Sequence, residues 1–204
     1  ADEYEAVARQ MNPGKFDADA WVHAAKNAGM RYIVAPAKHH DGFCMFDTAH
    51  TDYNIVKFTP FRRDPIKELA EACARHDMKL GIYYSIPDWH HPEFPTRYSN
   101  SGLGFHGRPN PKADVAKYAD YQIAQIRELL TNYGPIANIW FDGWSTPYNG
   151  PWREELELPE LYDHIRSLQP ECLISYKWNI TGTEDFYAPE YHWPAGDDEQ
   201  MAKV

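Results

Sequence analysis

Residues 32–43 read Tyr-Ile-Val-Ala-Pro-Ala followed by Lys38-His39-His40-Asp41-Gly42-Phe43. A short apolar run passes directly into titratable residues and a turn. The pattern recurs at residues 136–141, an apolar run that stops abruptly at Asp142-Gly143-Trp144. Twice in one chain, polar and ionisable groups stand at the end of a segment that reads as a buried strand. In a barrel of parallel strands that is the position where chemistry is done, so the pair points to an enzyme.

Working outward, helix and strand patterns alternate. Residues 18–28 carry apolar side chains at 18, 21, 22, 25 and 28, with Asp17 as N-cap and Gly29 after the end. Residues 31–37 then predict a strand. Asp64-Pro65 predicts the start of a helix whose apolar face is Ile66, Leu69, Ala70, Cys73 and Ala74. Residues 79–85 predict a strand, and residues 88–111 a long loop rich in Pro, His, Gly and Asn. Asn110-Pro111 repeats the cap-plus-proline signal before a helix carrying Val115, Ala119, Ile123, Ile126 and Leu130 on one face. Residues 136–142 (strand), 159–168 (helix) and 172–177 (strand) complete four helix-then-strand steps. Near-continuously apolar strands with helical crossovers imply a parallel α/β sheet. A flavodoxin-like open sheet fits the alternation, but no strand is followed by a glycine-rich phosphate loop. Polar or aromatic residues and a sizeable loop at every strand exit favour a TIM-like (β/α) barrel. About four to five βα units are expected, a partial or half barrel, with residues 1–204 forming part of a single domain.

Composition narrows the function classes. A net charge of −10 without a basic stripe argues against nucleic acid and anionic membranes. No apolar run approaches the ~20 residues of a membrane helix. Cys44, Cys73 and Cys172 are scattered, with neither metal-site nor disulfide spacing. The aromatic share is 15%, with 7 Trp and 14 Tyr; this suits a sugar ligand, or a Tyr- and Trp-rich core and surface.

Four groups could carry chemistry. Asp142 adjoins an apolar strand, where a carboxylate is costly unless satisfied or used; it is a nucleophile or general base, or a loop cap. His39 and His40 would point to opposite faces of a strand, so both can enter one site only where the strand ends. There they could bind metal together with Asp41, donate hydrogen bonds to substrate hydroxyls, or include one buried structural imidazole. Glu184, Asp185 and Glu190 follow the last clear strand, and Glu190, stiffened by Pro189, is a general acid or a surface carboxylate. With Asp142 it would supply the two carboxylates that glycoside hydrolysis needs. Tyr83, Tyr84, Asp88 and Trp89 stand at a strand end, with His90, His91 and His106 in the loop beyond.

Together these residues resemble the α-L-fucosidases of glycoside hydrolase family 29. The resemblance is carried by Phe16-Asp17-Ala18-Asp19-Ala20-Trp21, Ala25-Lys26-Asn27-Ala28-Gly29, Tyr32-Ile33-Val34 leading into Lys38-His39-His40-Asp41-Gly42-Phe43, and Thr51-Asp52-Tyr53-Asn54. It continues through Arg63-Asp64, Gly81-Ile82-Tyr83-Tyr84-Ser85 with Asp88-Trp89, Trp140-Phe141-Asp142-Gly143, and Asp185-Phe186 with Pro189-Glu190.

The resemblance implies a retaining exo-glycosidase on an irregular (β/α) barrel. It makes Asp142 the nucleophile, Glu190 the acid/base with Glu184 as the fallback, and His39 and His40 partners of fucose hydroxyls. Tyr83 and Trp140 would line the sugar pocket, with Trp89 and Lys177 also on the substrate. It implies no metal and no cofactor, a fucosylated oligosaccharide or glycoconjugate as partner, and a secreted, periplasmic or other degradative setting. Two departures stand out. Lys177 occupies the place where the family usually has Arg, giving a point charge for a planar fork. The family barrel also has strands before Ala1 and after Val204, so this stretch is expected to be completed by such strands or by self-association. The competing readings are a fucose- or glycan-binding module without turnover and a metal-dependent hydrolase built on His39, His40 and Asp41.

Overall fold

The computed structural model describes residues 2–94, 112–143, 156–177 and 181–188. Its elements run in the order α1 (Asp2–Ala8), α2 (Ala18–Asn27), β1 (Tyr32–Lys38), α3 (Ile55–Phe58), α4 (Pro65–Arg75) and β2 (Lys79–Ser85). Then follow α5 (Val115–Asn132), β3 (Asn138–Asp142), α6 (Leu158–Leu168), β4 (Leu173–Tyr176) and β5 (Phe186–Tyr187). The chain is mixed α/β, with one parallel five-stranded sheet in the order β1-β2-β3-β4-β5.

The caps act as the sequence predicts at α2, where Asp17 accepts the Ala20 N–H at 2.9 Å, and at α4, where Asp64 accepts the Lys67 N–H at 2.9 Å ahead of Pro65. Each satisfies a donor the first helical turn leaves open. α5 is a correction: its cap is Asp114, which accepts the Lys117 N–H at 3.3 Å, and Asn110-Pro111 lie outside the described residues. β5 is a fifth strand beyond the four read individually from the sequence, within the four to five units expected; two residues are too short to show any alternation. α1 and the four-residue α3 were not expected. α3 is held by Asn54, whose Oδ1 accepts the N–H groups of Val56 and Lys57.

The register sorts the sheet into two faces. One carries Ala35, Ile82, Ile139 and Ile174 in one row and Tyr84, Phe141 and Tyr176 in the next. These side chains are buried with apolar faces of α2, α4, α5 and α6, and each large one removed from water contributes roughly 1.5–3 kcal/mol. The other face carries Pro36, Tyr83, Trp140 and Ser175 in one row, with Ser85 and Asp142 above them. It is polar and less covered: Tyr32 and Leu173, at its lower edge, are 60% and 48% exposed.

β1 breaks its alternation with a register irregularity between Pro36 and Lys38. The extra residue aligns Lys38 with Tyr84 and the helix-covered face, where Lys38 is fully buried. This is what a bulge does to the side chains beyond it.

Candidate active site

Parallel strands place all their C-terminal ends on one edge, so Lys38, Ser85, Asp142 and Tyr176 finish side by side. His39 and His40 follow the β1 irregularity, and the chain turns at Gly42, whose N–H donates to the His39 carbonyl at 3.0 Å. The bulge and the turn together let two consecutive imidazoles reach one site. A ligand atom each from His39, His40 and Asp142 lie within 4.8 Å of one another. The rings of His39 and His40 are 4.4 Å apart, and His39 stacks on Tyr83 at 5.7 Å.

Asp142 ends the central strand, 4% exposed. Its Oδ1 accepts the N–H of Gly143 at 2.6 Å. Gly143 has φ +119, and a Cβ there would lie 2.1 Å from Pro87 Cδ, so only glycine fits. Oδ2 accepts the Tyr83 hydroxyl and the Lys177 ammonium, the latter at 2.7 Å, with His40 Nε2 at 3.8 Å. Burial would raise the Asp142 carboxyl, but the hydrogen bonds from Lys177 and Tyr83 and the charge of Lys177 outweigh it, and the net shift is downward. His40 moves the other way for an imidazole, down to about 4, through burial first and then the neighbouring His39 charge. At neutral pH the site therefore holds a carboxylate, an ammonium and a neutral imidazole.

Trp140 and Trp89 complete the surroundings. Trp140 is half-buried, edge-on to Tyr83 at 5.5 Å and 5.8 Å from Lys177 Nζ. Its indole nitrogen is buried and, among the described residues, has no hydrogen-bond partner. Trp89 donates its backbone N–H to the His40 carbonyl at 2.8 Å, with the two rings 5.3 Å apart.

Several expected residues stand elsewhere. Asp41 does not join the histidines: one oxygen accepts the Phe43 N–H at 3.1 Å and the other the Tyr4 hydroxyl. The metal triplet His39-His40-Asp41 therefore does not form. The cluster with Asp142 that replaces it does not fit a divalent ion either, because the Lys177 ammonium already stands against its carboxylate. Tyr84 faces the helices and donates to Gln125 at 2.7 Å. Asp88 pairs with buried Lys38 at 3.2 Å and accepts the N–H groups of His90 and His91. Glu184 shapes a turn, accepting from Thr181, Gly182 and the Tyr162 hydroxyl on α6. Glu190 and His106 lie outside the described residues.

Ser85 and Gly143 were missed. Ser85 bonds to His40 Nδ1; its place two residues after Tyr83, on the same face, was the available signal. Gly143 differs from an ordinary turn glycine only by its neighbour Pro87, distant in sequence. Buried Lys38 was missed as well, because nothing in the residue pattern shows the bulge.

The comparisons with known proteins place the chain in a family. A family model described as Alpha-L-fucosidase matches residues 1–202. Alpha-L-fucosidase 1 of Arabidopsis thaliana is 31% identical over 80% of this chain and 29% of its own length. Among solved structures, alpha-L-fucosidase isoenzyme 1 from Paenibacillus thiaminolyticus is 43% identical, with a TM-score of 0.74 over 86% of this chain and 41% of that one. The Lactobacillus casei alpha-L-fucosidase in complex with α-L-fucose product is 36% identical, with a TM-score of 0.78 over 93% of this chain and 60% of that one. The chain thus spans about a third of the curated relative and less than two thirds of these structures. With its ordered motifs, its parallel sheet and a family match along almost its whole length, the chain belongs to the α-L-fucosidase family, glycoside hydrolase family 29.

Proposed function

We propose that this chain carries the nucleophile side of a retaining exo-α-L-fucosidase that releases terminal α-L-fucosyl residues from glycans by double displacement. The observation that carries the reading is Asp142. It is a buried carboxylate held anionic by Lys177 and Tyr83, oriented by the Gly143 N–H, and set at the end of the central strand beside two imidazoles. In the first step Asp142 attacks the anomeric carbon, the bond to the leaving oxygen breaks, and Glu190 gives that oxygen a proton. In the second, water attacks the anomeric carbon, its proton passes to Glu190, and the electron pair of the ester bond returns to Asp142. Lys177 and Tyr83 stabilise the carboxylate as it leaves. His39, Trp140 and Trp89 line the sugar site. The engagement of Glu184 in its turn favours Glu190 for the acid/base role, and a retaining pair requires their carboxyl groups about 5–5.5 Å apart.

The same reading makes residues 1–204 part of one (β/α)-barrel catalytic domain. The polar, partly uncovered face of the sheet supports closure by further strands, because such a face and its edges are otherwise left to solvent. Release of p-nitrophenol from p-nitrophenyl α-L-fucoside, wild type beside Asp142→Asn, tests the proposal. Turnover abolished by the substitution supports it. Folded wild-type protein that binds fucose by calorimetry without turnover refutes it in favour of a binding module.

A further inference from the structure

Ser85 has a single hydroxyl proton and, among the described residues, two polar neighbours at hydrogen-bonding range, the Pro87 carbonyl oxygen at 2.9 Å and His40 Nδ1. A carbonyl can only accept. The Ser85 proton must therefore go to Pro87, and the Ser85 oxygen is left as an acceptor for His40. That requires a proton on Nδ1. In a neutral imidazole the other nitrogen then carries a lone pair. Nε2 is that nitrogen, and it faces the site.

We propose that Ser85 is a positioning residue that locks His40 as its Nδ1–H tautomer, so that Nε2 accepts a hydrogen bond from a substrate hydroxyl. Two further observations fit. Nε2 and Asp142 Oδ2 stand 3.8 Å apart, too far for a hydrogen bond and natural for two acceptors with no proton between them. Burial first, then the neighbouring His39 charge, holds the His40 imidazole down to about 4, so it is neutral at the pH of most assays. His40 thus differs from the donor role that its sequence suggests. It selects for a hydroxyl that can turn its proton toward β1, and a ligand carrying an ether or fluorine at that position would meet lone pair against lone pair.

The part of this proposal that concerns the substrate rests on the fucosidase reading; the tautomer does not. Nitrogen-15 NMR of histidine-labelled protein, with His40→Gln to assign the signals, reads the tautomer directly. The expected wild-type spectrum has a protonated Nδ1 and a bare Nε2. Ser85→Ala should release the lock and give a mixture, and Ser85→Thr should restore it. A wild-type spectrum with protonated Nε2, or a tautomer unmoved by Ser85→Ala, overturns the proposal; where Ser85→Ala does not fold, the wild-type and Ser85→Thr spectra decide.

The second readout is kinetic. Ser85→Ala should lower kcat/KM about ten-fold, the worth of one hydrogen bond. Among 2-, 3- and 4-deoxyfucosides, one should show that loss with wild type and no further loss with Ser85→Ala. Independent losses with every deoxy sugar overturn the acceptor role. A bare Nε2 in a protein without turnover would leave the tautomer standing and remove only the fucosidase reading.

Discussion

The buried pair Lys38–Asp88 yields the sharpest stability prediction. Its side chains are 0% and 1% exposed, with Nζ and Oδ2 3.2 Å apart. At that separation and an effective dielectric of about 20, the attraction is about 5 kcal/mol. Lys38 also donates to the Tyr118 hydroxyl at 3.0 Å and lies 4.5 Å from the Tyr84 ring centroid. Lys38→Met keeps the aliphatic stem and removes only the ammonium, leaving a buried carboxylate facing aromatic rings. Breaking such a pair from one side costs about 3–5 kcal/mol. The double variant Lys38→Met/Asp88→Asn should be markedly more stable than the single one. Its Asn oxygen can still accept the His90 and His91 N–H groups, now at 3.0 and 2.8 Å from Asp88 Oδ1, while the stranded charge is gone. Urea denaturation followed by circular dichroism measures all three proteins. Because Trp89 begins the same turn and holds the His40 carbonyl, Lys38→Met should also raise KM for a fucoside. A Lys38→Met protein within about 1 kcal/mol of wild type, or a double variant no better than the single, would refute the account of this pair.

Two other substitutions follow from the site. Gly143→Ala should cost about 2–4 kcal/mol and most of the turnover, because the left-handed backbone and the contact with Pro87 act together; Gly134→Ala, at φ +75 with nothing within 4 Å, should cost only about 1 kcal/mol in the same thermal melts. For His40, the folded midpoint near 4 lies below the ordinary 6.5. Between these values the unfolded chain binds the extra proton, so stability rises with pH across that window and is lost as pH falls through it, by up to about 3 kcal/mol. Subtracting the pH–stability curve of His40→Gln from that of wild type should isolate this step, and a flat difference curve would contradict it. Asp142, with its carboxyl held down, adds a loss of the same sign only at lower pH, as the solution falls below the ordinary carboxylate range.

Much of the architecture was legible because it rests on local rules. Asp17 and Asp64 cap helices wherever they precede one, and the apolar runs at 79–85 and 136–142 could only be buried strands. Asp142 was legible for the same reason, a charge where a strand's burial ends. What stayed hidden depends on contacts between distant segments. The β1 irregularity buries Lys38 and frees His39 for the site, yet it shows only in the pairing with β2. Asp41 looked like a partner of the histidines because it is adjacent in sequence, but the turn at Gly42 sends it toward Tyr4 instead. Asp88 stood among the strand-end residues that could carry chemistry and is the counter-ion of Lys38. Ser85 became visible only when its two hydrogen bonds could be counted together.

The central claim is that Asp142 forms a covalent bond to the sugar. Incubation with 2-deoxy-2-fluoro-α-L-fucosyl fluoride, followed by digestion and peptide mass spectrometry, tests it most directly, because the fluorine slows release of the intermediate. The account predicts one fluorofucosyl group per chain, on the peptide containing Asp142, and none in Asp142→Asn. Turnover of a fucoside without any labelled peptide, or a label on another carboxylate, would contradict it.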